Sequence, residues 1–173
     1  MATYIQIGST VTVGAGGTSS IDFSSIPSTY TDLKLVLSTR LTDSRTSLLV
    51  KVNGSSSGYS YRSIWGYVAG VNSYSGSSNP AWYIQYPNGS ADTSNTFNSS
   101  ELYIPNYAGS TAKSASSDTV RENNATGSES AHQVLMAHLW SGTAAISSIA
   151  ITVDSAANIA QYSTATLYGI SKS

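Results

Sequence analysis

Residues Ala131–Trp140 read AHQVLMAHLW, and the fold class turns on this stretch. Helical spacing would group His132, Leu135, Met136 and Leu139. Strand spacing would put Val134, Met136 and Trp140 on one face instead. The strand reading is favoured, with the helix as the alternative. Its surroundings are β in character, and the next apolar run follows a short SGTAA turn (Ser141–Ala145).

Working outward, period-two runs recur. Leu33, Leu35 and Leu37 alternate with more polar neighbours, as a half-buried strand does. Leu48, Val50 and Val52 form a second run, and NGSSSG (Asn53–Gly58) then reads as the turn of a hairpin. Ile149, Ile151 and Val153 form another. TATLYGI (Thr164–Ile170) is expected inside a sheet, with Ala165 and Leu167 on one face. Further strands are expected at Tyr4–Ile7, Thr10–Val13, Ser19–Phe23, Trp82–Tyr86 and Glu101–Ile104. About nine or ten strands at this spacing predict one all-β domain, an antiparallel jelly-roll-like β-sandwich. Val71–Pro80 and Asn106–Ser130 read as long loops, and Met1–Ser20 as an N-terminal arm.

Composition limits the function. The chain has 173 residues, suited to one domain. Only 10% are charged, against about 25% in ordinary globular chains. Ser and Thr, 35 and 18 of them, must therefore supply most of the wet surface. A net charge of −1 with scattered basic residues argues against a nucleic-acid partner. No apolar run is long enough to span a membrane. The N-terminus carries no secretory pattern, so synthesis in a cytoplasm is expected. With no cysteine, disulfides and thiolate metal sites are excluded.

No catalytic constellation is legible, and an enzyme is not expected. His132 and His138, the only histidines, lie about 20 Å apart on one strand face, too far to share an ion. No Gly-x-Ser-x-Gly elbow occurs at a strand-to-helix turn. GAGG (Gly14–Gly17) lacks the Lys and helix of a phosphate cradle. Neither a metal nor another cofactor is expected.

Two groups could carry contacts. The segment STRLTDSRTS (Ser38–Ser47) concentrates Arg40, Asp43 and Arg45. It is either a solvated hairpin tip or a polar contact to a neighbouring subunit, and Lys113 and Arg121 join it as candidate subunit or capsid contacts. Tyr59, Tyr61, Trp65 and Tyr67 share one strand parity, and Trp82 and Tyr86 share the face of another. Such stripes fill β cores, line subunit interfaces, or stack on sugar rings. In the last case Tyr59, Tyr61, Trp65, Trp82 and Tyr86 would form the platform, and it would have to be exposed.

Five segments carry a resemblance: IPSTYTDLKLVLSTR (Ile26–Arg40), LLVKVNGSSSGYSY (Leu48–Tyr61), LYIPNYAGST (Leu102–Thr111), AISSIAITV (Ala145–Val153) and STATLYGI (Ser163–Ile170). In this order they resemble a family of small virion proteins of tailed bacteriophages, marine and cyanobacterial phages among them. The resemblance implies a jelly-roll sandwich with structural work in the virion, assembled in the host cytoplasm. A head decoration (cement) protein bound to the major capsid protein, as a homotrimer, is the first expectation. A tail- or fibre-associated module binding a receptor or host-surface glycan is the alternative. The Asn106–Ser130 loop and the N-terminal arm would then order on a partner.

Overall fold

A computed structural model describes residues 2–43, 46–124, 127 and 131–171. The described residues form twelve strands and no helix. In chain order these are β1 (Thr3–Thr12), β2 (Ser20–Phe23), β3 (Asp32–Thr39), β4 (Leu48–Val52), β5 (Tyr59–Tyr67) and β6 (Gly70–Asn79). There follow β7 (Trp82–Ile84), β8 (Asn98–Pro105), β9 (Lys113–Arg121), β10 (His132–Trp140), β11 (Ile149–Val153) and β12 (Thr164–Ser171). One sheet has eight strands in the order β1-β12-β3-β8-β9-β10-β5-β6, and the other has four, β2-β11-β4-β7. All the strand pairings within the sheets are antiparallel. Apart from the β5–β6 hairpin and the β8-β9-β10 meander, each connection crosses from one sheet to the other. That wrapping is jelly-roll-like, with the meander widening the larger sheet.

Period two explains the core. Leu33, Leu35 and Leu37 on β3, Leu102 and Ile104 on β8, and Ala165 and Leu167 on β12 face inward. Against them lie Ile21 and Phe23 on β2, Val50 and Val52 on β4, and Ile149 and Ile151 on β11. Each such side chain contributes roughly 1.5–3 kcal/mol by leaving water. AHQVLMAHLW is the strand β10, with His132, Val134, Met136, His138 and Trp140 all buried. TATLYGI lies between β1 and β3, inside the sheet as its pattern requires.

Five expectations are corrected. Leu33–Leu37 and Leu48–Val52 lie in different sheets, so STRLTDSRTS is a crossover and not a hairpin tip. The NGSSSG turn likewise joins β4 to β5 across the sandwich. Asn53 and Gly54 adopt positive φ there, and the Asn53 side chain is bonded to Ala145 and Ser147. Val71–Pro80 is mostly the strand β6, and Asn106–Ser130 contains the strand β9. In β9 the buried face reads Lys113, Ala115, Ser117, Thr119 and Arg121, so its alternation carries almost no hydrophobicity. The N-terminal arm is largely β1, which pairs with β12 from Thr3 to Thr12.

Candidate functional site

Eight strands are wider than four, so the small sheet covers only part of the large one. Its strand β7 packs against β5 and β10, and the chain after β7 lies over what remains. Beneath this cover the inward face of the large sheet is polar. Thr39 Oγ1 donates to Asn98 Oδ1 (2.5 Å), Asn98 Nδ2 to Ser100 Oγ (2.5 Å), and Ser100 Oγ to Thr119 Oγ1 (3.0 Å). Ser117 Oγ and His138 Nε2 are 2.9 Å apart on the next pair of strands. Buried hydroxyls are tolerated because they bond one another. Burial pushes His138 down to about 4, so its ring is neutral at pH 7.

The charged candidates fall in two places. Arg40 donates from Nη2 to the Asp92 carbonyl (3.0 Å) and from Nη1 to the carbonyls of Thr93 (2.9 Å) and Thr96 (3.0 Å). Arg121 Nη2 donates to Asp92 Oδ1 at 2.7 Å, Asn123 Nδ2 donates to the same oxygen, and Gly89 N–H donates to Oδ2. Asp43 is exposed, and its carbonyl accepts from Ser90 N–H. The fold thus gathers Arg40, Asp43 and Arg121 around the 89–96 loop, using Arg40 and Arg121 to hold it. Lys113, at the far end of β9 from Arg121, is buried. Its Nζ donates to the carbonyls of Gly109, Thr111 and Thr143, and burial lowers its pKa. Arg40, Arg121 and Lys113, expected as contacts to a neighbouring molecule, thus all bond within their own chain. Arg45 lies outside the described residues.

The aromatic candidates divide as well. Tyr59 and Trp82 are core, edge-to-face at 5.7 Å, with Trp140 stacked on Tyr59. Trp65 is 6% exposed and stacks with Tyr67 (4.7 Å), Tyr86 (4.9 Å) and His132 (5.2 Å). Tyr61 and Tyr86 are half-buried. A sugar ring needs an open face, so the five-residue platform is corrected: Tyr59, Trp65 and Trp82 offer none. Tyr74, on β6, is the member of this stack that reaches water, at 53% exposure.

The open surface is the outward face of the large sheet. Ile64 on β5 lies opposite Leu135 on β10, and they are 59% and 65% exposed. Val71 and Val120 flank them, also exposed. A shallow depression of about 580 Å³ lies here, bounded by Arg62, Ile64, Ser75, Ser116, Leu135 and Ala137. Farther along the row Asp118 faces Glu101, and Glu101 pairs with Lys34 at 2.7 Å. The sequence held a signal for this patch. In β10 both parities are apolar, so Leu135 and Leu139 had to point away from the core if Val134, Met136 and Trp140 pointed in.

Among the described residues no group of three or more His, Cys, Asp or Glu side chains converges as metal ligands would. Comparison with protein-family models, with curated proteins and with solved structures returns no match.

Proposed function

We propose that this is a structural protein of a tailed-bacteriophage virion, a decoration or cement protein that binds the major capsid protein on the assembled head. The five segments that resemble such proteins run through β3, β4, β5, β8, β11 and β12, so the likeness concerns the frame of the sandwich. The observation that carries the reading is the outward face of the eight-stranded sheet. Exposed Ile64 and Leu135 sit on a broad surface of hydroxyls and small side chains. A contiguous exposed apolar patch marks an interaction surface, and a shallow one suits a large partner better than a small ligand.

The mechanism is linkage. A protein that binds the assembled shell, and not its dissociated subunits, stabilises assembly by RT ln(1 + [L]/Kd) at each site. Many copies multiply a modest gain.

The test is binding to intact heads and to dissociated capsid subunits, followed by cryo-electron microscopy of the particle. Binding confined to intact heads, density over the shell and loss of binding in Leu135→Lys are expected. Density restricted to the tail or fibres would overturn the head reading and favour the receptor-binding alternative.

A further inference from the structure

One row of the outward face crosses five strands. Glu101 on β8 lies opposite Asp118 on β9, Asp118 opposite Leu135 on β10, Leu135 opposite Ile64 on β5, and Ile64 opposite Ser73 on β6. Strands stand about 4.8 Å apart, so Asp118 is the immediate neighbour of Leu135 and about 10 Å from Ile64. Ile64 and Leu135 form a ridge between two depressions. One is the depression beside Arg62, and the other, of about 360 Å³, is bounded by Asp118, Val120, Gln133 and Val71. A carboxylate thus stands at the wall of the apolar patch. Charge on this face is unbalanced. The strands of the large sheet point five charged side chains outward, Asp32, Glu101 and Asp118 against Lys34 and Arg62. Lys34 pairs with Glu101 at 2.7 Å, and Asp32 accepts from the Tyr103 hydroxyl and the Asn106 N–H. Arg62 lies two strands and one row from Asp118, and its Nη1 donates to the Tyr61 carbonyl. Asp118 is half-buried and has no ion-pair partner among the described residues.

We propose that this face takes a protein surface on which a lysine or arginine stands beside an aliphatic side chain, the cation seated against Asp118 and Glu101 and the aliphatic group against Leu135 and Ile64. A partner that covers Leu135 also covers Asp118, because the two are neighbours across the β9–β10 pair. A carboxylate taken out of water without a counter-charge opposes binding, whereas one that gains a cation supports it and fixes the register of the contact. The uncovered face already disfavours the charged form, since burial and then Glu101 raise the Asp118 pKa. An incoming cation relieves that repulsion. A second copy is a poor fit, because its own outward face carries the same excess of carboxylate over cation. In the virion reading the partner is the surface of the head, so this inference rests on that reading and adds the chemistry the head must present.

The test is a titration of intact heads with wild type, Asp118→Asn, Asp118→Lys and Asp154→Asn, at about 0.05 M and about 0.5 M salt. Asp154 follows β11 on the small sheet and is exposed, so its variant makes the same charge change away from the face. Wild type is expected to bind more weakly at high salt. At low salt Asp118→Asn should bind at least about tenfold more weakly than wild type while unfolding no earlier in urea. Asp118→Lys should not bind, and Asp154→Asn should match wild type. Wild-type binding that both Asp118 changes leave intact would overturn this inference and leave the head reading standing. A wild type that binds no heads would overturn both. Dimers of the full chain in sedimentation that Asp118→Lys dissolves would also overturn it, by making a second copy the occupant.

Discussion

Asp92 and Arg121 form an ion pair at 2.7 Å, with their side chains 7% and 9% exposed. Asp92 is also the residue whose carbonyl Arg40 reads, so two arginines from β9 and the β3–β4 crossover meet at one loop position. A buried pair adds little over a well-packed apolar substitute, but breaking one side strands a charge. Asp92→Ala is therefore expected to cost about 3–5 kcal/mol. Asp92→Asn, which keeps a side-chain acceptor, should lose less. Urea unfolding measures the loss, and amide exchange across 89–96 reports whether the loop opens. An Asp92→Ala protein less than about 1 kcal/mol weaker than wild type would show that water replaces the carboxylate.

The sandwich was legible wherever hydrophobicity itself alternated. β3, β4 and β11 bury Leu, Ile and Val at every second position, β12 buries Ala165, Leu167 and Gly169 with the same period, and the pattern placed all four. It failed where the buried face is polar. β9 hides Lys113, Ser117, Thr119 and Arg121, each with a partner, and no hydropathy pattern announces a strand of that kind. Sheet membership was equally hidden, because a turn such as Asn53–Gly58 looks the same whether it folds a hairpin or crosses a sandwich. For the site, residue type pointed to arginines and aromatics, whereas burial assigned most of them to internal work. What remained on the surface was leucine, isoleucine and serine.

His138 gives the protein a defined response to acid. Its ring faces Ser117 Oγ and lies 6.0 Å from the Trp82 ring, and burial holds it at about 4 against an ordinary 6.5. The folded state thus binds a proton less readily than the unfolded chain. The contribution is fully present above pH 6.5 and is lost as pH falls from there toward 4. The loss amounts to about 3 kcal/mol. Denaturant unfolding of wild type and His138→Gln from pH 7 to pH 4 should give curves that converge as pH falls. Parallel curves would mean that the ring charges without penalty.

Gly169 on β12 has an extended backbone and is required for a different reason. A Cβ built there lies 2.3 Å from the ring of Tyr30, which covers the glycine. Gly169→Ala must push that ring aside, and overpacking of this kind costs about 1–3 kcal/mol. The same substitution in a Tyr30→Ala background should cost clearly less, because the pair is in contact. Equal losses in both backgrounds would assign the glycine's role to the backbone.

Asp118 stands opposite Glu101 on the outward face, while Lys34 is taken up by Glu101 at 2.7 Å. Burial first, and then the Glu101 charge, raise the Asp118 pKa, with Lys34 acting in the other direction. A raised folded pKa means that the charged form is disfavoured in the fold. The strain is present at neutral pH and is relieved as pH falls and the carboxyl takes its proton. Like charges facing each other across strands cost up to about 1 kcal/mol, less where solvent screens them. Asp118→Asn is therefore expected to be more stable than wild type at pH 7, by a margin that shrinks with added salt and vanishes in acid. Thermal unfolding at both pH values, with and without salt, decides it. A variant less stable at pH 7 would mean that Asp118 holds the β9–β10 surface through a bond its charge requires. The outward face would then be built around that carboxylate rather than around Ile64 and Leu135.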